Sequence, residues 1–537
     1  MGDYPTAGEI VFKEHSGSTP SMSDTSRTRE AQRAELALAT VAKGTGIALA
    51  GRVTGAGLGY AFSVLLARWL GAEDLGLFSL AFTVVTAAMV LGRLALDETL
   101  VRFVALYRGE GALGKLKGAV RLALQTSVVG GILVMIILFF SAHAIAVVAF
   151  GKPELTWVIR GLACMAPVGN LAMVALASTQ GCRVMTYVVL TSWVIVPLLQ
   201  LALAAVLIAA GSGLTGAVVA AVAAQTLAAL LGYRFAARVL PELHDRRIAA
   251  AAERARILRF AVIMTALGLT AFLIGWIDIL LLGVYVPAYE LGLYSAAART
   301  AGLTSFFLFS VNTLFAPTLA DLFNRGDLAL LERLFKTTTK WAVTVSLPFF
   351  LLYAFRGAEV LALFGPKFPV AAQCLAVLAA GHFVNSATGS VGYMLTMSGR
   401  QNLALADQVG GVAVAIALSI WLIPRWGVLG AAVAMSVAMA ALNLLRLAQV
   451  VRLIRLHPYD PSFRHPLLAA AAALGVAAGL VHITGTVNAV TTLTIWVAGF
   501  TVVYVVLLVA LGLSTEDRLV LDRIRLRIST LRTAPLK

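Results

Sequence analysis

Runs of about 20 or more apolar residues recur along this chain, separated by loops of only a few residues, and they leave few folds open. A helix of that length crosses the roughly 30 Å hydrocarbon core of a bilayer. Inside hydrocarbon every backbone polar group must be satisfied internally, so only helices and closed barrels can span. We read fourteen spans: 44–69, 75–106, 117–142, 155–180, 185–210, 214–238, 257–286, 291–323, 332–355, 369–397, 402–423, 428–450, 466–483 and 488–512. Hydrophobic residues make up 60% of the 537, and charged residues 13%. Soluble domains sit near 45–50% and 25%, so hardly any room remains for one here.

The net charge is +16. Its basic residues concentrate in one alternating set of loops, notably 239–256 and 451–465, and are sparse in the other set, which includes Gly71–Asp74, Gly151–Glu154 and Pro287–Glu290. The charge therefore reports topology before any acidic partner, and places both termini on the cytoplasmic side of the plasma membrane. No cleavable signal peptide is expected, because the first forty residues are polar and the first apolar run is too long for one. Cys164, Cys182 and Cys374 form no spaced set, so neither a disulfide nor a metal site is expected, and no motif asks for a cofactor or a nucleic acid.

An internal repeat organises the spans. Leu75-Gly-Leu-Phe-Ser79 returns as Leu291-Gly-Leu-Tyr-Ser295, and Tyr107-Arg-Gly-Glu110 as Asn324-Arg-Gly-Asp327. Phe150-Gly151 returns as Phe364-Gly365, and Gly213-Leu-Thr-Gly-Ala217 as Gly427-Val-Leu-Gly-Ala431. An even number of spans separates the copies, so the repeats share one orientation, and substrate sites in such proteins lie between them. The expected architecture is an all-α membrane protein of two six-helix lobes related by a parallel pseudo-two-fold repeat, plus a C-terminal helical hairpin. Its parts are a cytoplasmic disordered tail (1–40), an N-lobe (41–238), an interfacial linker (239–256) able to form a basic helix, a C-lobe (257–456), spans 13 and 14 (457–512) and a basic tail (513–537).

Ionisable residues inside spans are costly and mark functional sites. Arg52 has no acid within four residues, so another helix or a ligand phosphate must answer it; guanidinium binds phosphate oxygens in a bidentate way. Arg93, near mid-membrane, has Asp97 four residues on, and Glu98 and Arg102 share that spacing. Two intrahelical ion pairs compete there with a watery cavity. Asp278 and Arg299 lie at similar depth in spans 7 and 8, as a structural salt bridge or as a coupling pair in which Asp278 takes a proton or sodium. None of Arg52, Arg93, Asp278 and Arg299 has a charged mate in the repeat. Gly51, Gly55 and Gly59 form a smooth face for close packing or for bending in a transport cycle. Arg160 can snorkel; His382, Asn170, Asn312 and Asn385 suit interhelical hydrogen bonds; Trp69, Trp157, Trp341, Trp421 and Trp426 suit an aromatic belt.

The segment Leu65-Leu-Ala-Arg-Trp-Leu-Gly-Ala-Glu-Asp-Leu-Gly-Leu-Phe-Ser79, with Thr99-Leu-Val-Arg-Phe-Val-Ala-Leu-Tyr-Arg-Gly109, resembles the polysaccharide-exporter (O-antigen/exopolysaccharide flippase) family. That family lies in the multidrug/oligosaccharidyl-lipid/polysaccharide exporter superfamily. The resemblance implies a V-shaped pair of lobes working by alternating access. It implies undecaprenyl-diphosphate-linked oligosaccharide as substrate, moved from the inner to the outer leaflet for cell-surface polysaccharide synthesis. A cationic cavity lined by spans 1, 2, 7 and 8 then makes Arg52, Arg93, Arg102 and Arg299 the substrate-binding candidates and Asp278 the ion-coupling candidate. Glycosyltransferases and a polysaccharide polymerase are the implied partners, with membrane lipids around. The alternatives are a multidrug cation antiporter on the same fold, which would want acids in span 1, and a lipid II flippase. An enzyme would want a large outer loop with acids or histidines; an envelope scaffold makes no such demand.

Overall fold

The computed structural model describes residues 50–484 and 488–511, and these residues are helical with no strand among them. The N-terminal tail and the basic tail expected at 1–40 and 513–537 lie outside the described residues. The first six helices are α1 (Ala50–Leu70), α2 (Ala72–Gly109), α3 (Leu113–Ala149), α4 (155–181), α5 (Thr186–Ala209) and α6 (Gly213–Val239). The next six helices are α7 (Arg254–Tyr285), α8 (288–325), α9 (Leu328–Leu361), α10 (Phe368–Thr388), α11 (401–426) and α12 (427–453). Last come α13 (Pro461–Thr484) and α14 (Ala489–Ala510). Eleven of the described helices are long and apolar enough to cross a membrane, twelve when α4, bent by 40° at Cys164, counts as one. The fourteen read from sequence differ in three places. The tenth, read over 369–397, stops at Thr388, and Gly389 (φ 71°) parts it from a short helix, Val391–Met397. α11 and α12 run on as one helix, Gln401–Leu453, kinked at Gly427, whose φ is 54°. α8 is interrupted by a 3-10 turn at Leu303–Ser305.

Local chemistry sets the helix ends. Gly71 takes φ 93°, which a side chain resists, and lets α2 start one residue after α1 ends. Glu73 and Asp74 then occupy the first turn of α2, where the helix dipole favours acids. Asp327 and Asn488 cap α9 and α14 through their side-chain oxygens. The tryptophans at the short-loop ends, Trp69, Trp157, Trp421 and Trp426, are exposed, as an aromatic belt requires.

At the short-loop end a single apolar core joins residues of both repeats, from Leu66 and Leu80 through Leu282 and Tyr294 to Phe364 and Ala431. At the opposite, basic end the core divides. One cluster gathers Leu100, Tyr107, Val120 and Ile257; another gathers Leu319, Phe335, Met394 and Val450. The α13–α14 hairpin packs on α9, with Tyr504 donating to the carbonyl of Thr344 at 2.9 Å.

The linker, able by sequence to form a basic interfacial helix, takes another form. Apart from a 3-10 turn at Pro241–Leu243, residues 244–253 are turns and coil lying along the start of α3. Lys117, 2% exposed, explains this, because it donates to the carbonyls of Asp245 and Ile248. Glu253 bonds Lys115 at 2.5 Å, Arg256 at 2.9 Å and the Tyr107 hydroxyl at 3.1 Å. The Lys115 and Arg256 partners hold its carboxyl down at about 2. Bonds to side chains and to carbonyls of an extended strap replace the internal bonds of a helix.

Candidate functional site between the lobes

The repeat motif is where the two halves touch. Gly76 of α2 and its repeat mate Gly292 of α8 face each other across the short-loop end. A Cβ at Gly292 would lie 1.7 Å from the Ala72 carbonyl oxygen, and one at Gly76 would lie 2.0 Å from that of Ala288. Only glycine permits backbones this close. Around the crossing, Arg68 donates to the Leu363 carbonyl at 2.8 Å, and Lys152, 9% exposed, to the Gly283 carbonyl at 2.5 Å. Tyr60 packs edge-on to Phe364 at 5.4 Å and lies 3.4 Å from the Thr300 hydroxyl. Spans α1, α2, α7 and α8 thus meet, and the short-loop end is shut.

The basic end is open. A cleft of about 510 Å³ lies between Glu98 of α2, Gly268 and Ala271 of α7, Tyr393 after α10, Gln401 and Gln408 of α11, and Arg446 of α12. Two smaller cavities, about 300 and 190 Å³, lie inside the N-lobe between α2, α4 and α5.

α2 is not continuous between them. Leu94 (φ 52°) and Ala95 (φ 42°) are both left-handed and split it into Ala72–Arg93 and Leu96–Gly109. Such a conformation costs a non-glycine residue roughly 1–3 kcal/mol. The first half alone rises about 32 Å, close to the hydrocarbon thickness. The two ends at the break carry complementary charge: Arg93 closes a helix C-terminus, and Asp97 and Glu98 open a helix N-terminus.

The five candidate residues have distinct surroundings. Arg93 pairs with Asp97 at 2.9 Å, both side chains under 20% exposed, and lines the 190 Å³ cavity. The second expected pair does not form: Arg102 lies over the Phe260 ring of α7 at 4.6 Å, and no ion pair joins it to Glu98 among the described residues. Arg52 lies over Trp193 of α5 at 4.7 Å. That ring belongs to a π-helical stretch, Val189–Ile195, of which Ser192 and the following Val196 also line the Arg93 cavity. The fold therefore brings Arg52 and Arg93 to the same part of α5, while Arg102 lies against α7 and Arg299 belongs to α8. The glycine face of α1 divides: Gly51 and Gly55 press on Val189 and Trp193, whereas nothing lies within 4 Å of a Cβ at Gly57 or Gly59.

Asp278 and Arg299 do not pair. Asp278 accepts from the Tyr294 hydroxyl at 2.7 Å and from the Ile279 amide at 2.9 Å. No carboxylate answers Arg299 among the described residues. It stands eleven residues into α8, roughly 16 Å from the short-loop end. His382 bonds Ser305 at 2.9 Å and Asn312 bonds Ser390, both as interhelical ties. Asn170 is buried, and neither of its amide atoms has a partner among the described residues.

Sequence reasoning passed over Asp407 and Arg446. Asp407 accepts from Gln449 at 2.8 Å, and Arg446 donates to the Ala404 carbonyl at 3.1 Å. The rule applied to Arg52, an ionisable residue inside a span, would have found both. The break at Leu94–Ala95 has no sequence signal, since neither residue favours a left-handed backbone.

Among known proteins, the chain is 24% identical over 166 residues to Agl15 of Haloferax volcanii, a probable low-salt glycan biosynthesis flippase. That match covers 31% of this chain and only 35% of the relative. It is 23% identical over 400 residues, 70% of this chain and 77% of the other, to an uncharacterized membrane protein of Methanocaldococcus jannaschii. Its fold is similar to that of the lipid II flippase MurJ in an inward closed conformation, with a TM-score of 0.65 at 15% identity, over 85% of this chain and 96% of that one. The polysaccharide biosynthesis protein model matches residues 41–323, more than half of its length, and this multi-pass membrane protein belongs to that family.

Proposed function

We propose that the chain is a flippase that carries an undecaprenyl-diphosphate-linked oligosaccharide from the inner to the outer leaflet by alternating access, for cell-surface polysaccharide biosynthesis. The observation that carries this reading is the difference between the two ends. Glycine crossings shut the short-loop end, and a cleft that Glu98, Gln401, Gln408 and Arg446 help to line opens the basic end. With the basic loops in the cytoplasm of the plasma membrane, this is the loading state.

In this reading the arginines meet the diphosphate in order of depth. Arg52 captures it from the cytoplasmic side, and Arg102 waits beside Phe260 of α7. Arg93 exchanges Asp97 for the more highly charged phosphates. Arg299, which pairs with no carboxylate among the described residues, receives them deeper in the membrane. A lone charge at that depth costs about 2.5–3.5 kcal/mol on insertion scales, which a passing dianion offsets. Asp278 remains the ion-coupling candidate, held by Tyr294 away from the substrate arginines. Glycosyltransferases would supply the substrate and a polymerase would consume the product. The test is Arg52→Ala in cells whose export is measured as surface glycan. Export should fall to background while the protein stays in the membrane at the wild-type level. Normal export by that variant would remove the capture step.

A further inference from the structure

We propose that the C-lobe wall of the cleft at the basic end is a glycan subsite, separate from the arginines that meet the diphosphate. This rests on the flippase reading above. The wall presents Gln401, Gln408 and Tyr393 to the 510 Å³ space, with Arg446 at its back and Glu98 of α2 opposite. That volume falls in the range of small-molecule sites, roughly 300–1,000 Å³. No hydrogen bond or ion pair engages the side chains of Gln401, Gln408, Tyr393 and Glu98 among the described residues, and all four line the cleft. Gly268 of α7 has nothing within 4 Å of a Cβ position, which leaves a flat face across from the polar one.

The chemistry selects a neutral ligand rich in both donors and acceptors. A prenyl tail would strand two amides and a carboxylate without partners. Phosphate would meet Glu98 as well as Arg446, and an organic cation Arg446 as well as Glu98, so neither sign of charge is favoured. Sugar hydroxyls match amides in both directions, accept from guanidinium, donate to carboxylate, and let a ring face lie on Tyr393. The cleft lies on the side where the polar head of a lipid-linked glycan would enter first.

The test uses the full chain in nanodiscs and two probes: undecaprenyl diphosphate, and the polyprenyl-diphosphate glycan fraction extracted from the membranes of the cells that make the protein. Wild type should bind the glycan fraction about tenfold more tightly, the scale of one or two net hydrogen bonds. The double variant Gln401→Leu/Gln408→Leu should lose that preference and keep its affinity for undecaprenyl diphosphate. Equal affinity of both probes in wild type, or a preference retained in the double variant, overturns the subsite. If wild type binds neither probe, it is the flippase reading that fails. Should the double variant also bind undecaprenyl diphosphate poorly, Tyr393→Ala decides by the same comparison.

Discussion

Replacing Gly292 by alanine should force open the short-loop end. The new methyl carbon would stand 1.7 Å from the Ala72 carbonyl oxygen, against the 3.0 Å below which real Cβ contacts essentially never fall, a deficit of about 1.3 Å. Its neighbour is backbone, so no rotamer change relieves the clash, and α8 must move off α2. The 2.8 Å bond from Arg68 to Leu363 and the 2.5 Å bond from Lys152 to Gly283 span the same closure and would stretch with it. Overpacking costs typically 1–3 kcal/mol and each lost hydrogen bond about 0.5–1.5. A closed state weakened by about 3 kcal/mol loses roughly a hundredfold in population against an open one. The readout is maleimide labelling of Ala298→Cys, which lies half-buried below the crossing, in a background without native cysteines. Labelling from the short-loop side should rise at least tenfold with Gly292→Ala. It should stay flat with the control Gly302→Ala, where nothing lies within 4 Å of a Cβ. Unchanged labelling in a folded Gly292→Ala protein would refute the claim that these glycines hold the lobes shut.

Removing Asp97 strands Arg93, so Asp97→Ala should lower stability by about 3–5 kcal/mol, seen as a fall in unfolding temperature in detergent; the double change Arg93→Met/Asp97→Ala should recover most of it. Alanine to glycine inside a helix costs about 1 kcal/mol, but Ala95→Gly should be neutral or stabilising because the residue is left-handed; a full helix-interior loss would argue that α2 is continuous. The Glu253 carboxyl sits at about 2, below its ordinary 4.5, so the contacts it makes stabilise the fold above pH 4.5 and are lost as pH falls toward 2. Protection of residues 244–252 against hydrogen exchange, taken relative to the intrinsic rate at each pH, should accordingly fall between pH 5 and about pH 3, and Glu253→Gln should show the lower protection already at pH 6.

Much of this protein is readable along the chain, because hydrocarbon is an unforgiving solvent. Spans, short loops, the parallel repeat and the arginines inside the spans follow from run length, hydropathy and self-similarity, each a property of residues near one another in sequence. Even the lobe contact was written in the repeat, although the Leu-Gly-Leu motif does not say that Gly76 and Gly292 face one another. Partnership was not legible. Arg93 finds Asp97 one turn away, as spacing allows, yet Arg102 leaves Glu98 for Phe260, and Asp278 leaves Arg299 for Tyr294. Which neighbour a charge takes depends on how helices far apart in sequence are rotated against each other, and spacing along one helix carries no record of that. The same holds for the linker, drawn out of a helix by Lys117 of another element, and for the strained break in α2, which only the surrounding packing can enforce. Sequence alone thus determined what must lie in the membrane and in what order. Tertiary structure decided which charges meet, which end is shut and where the cleft opens, because those are contacts between segments that the chain itself keeps apart.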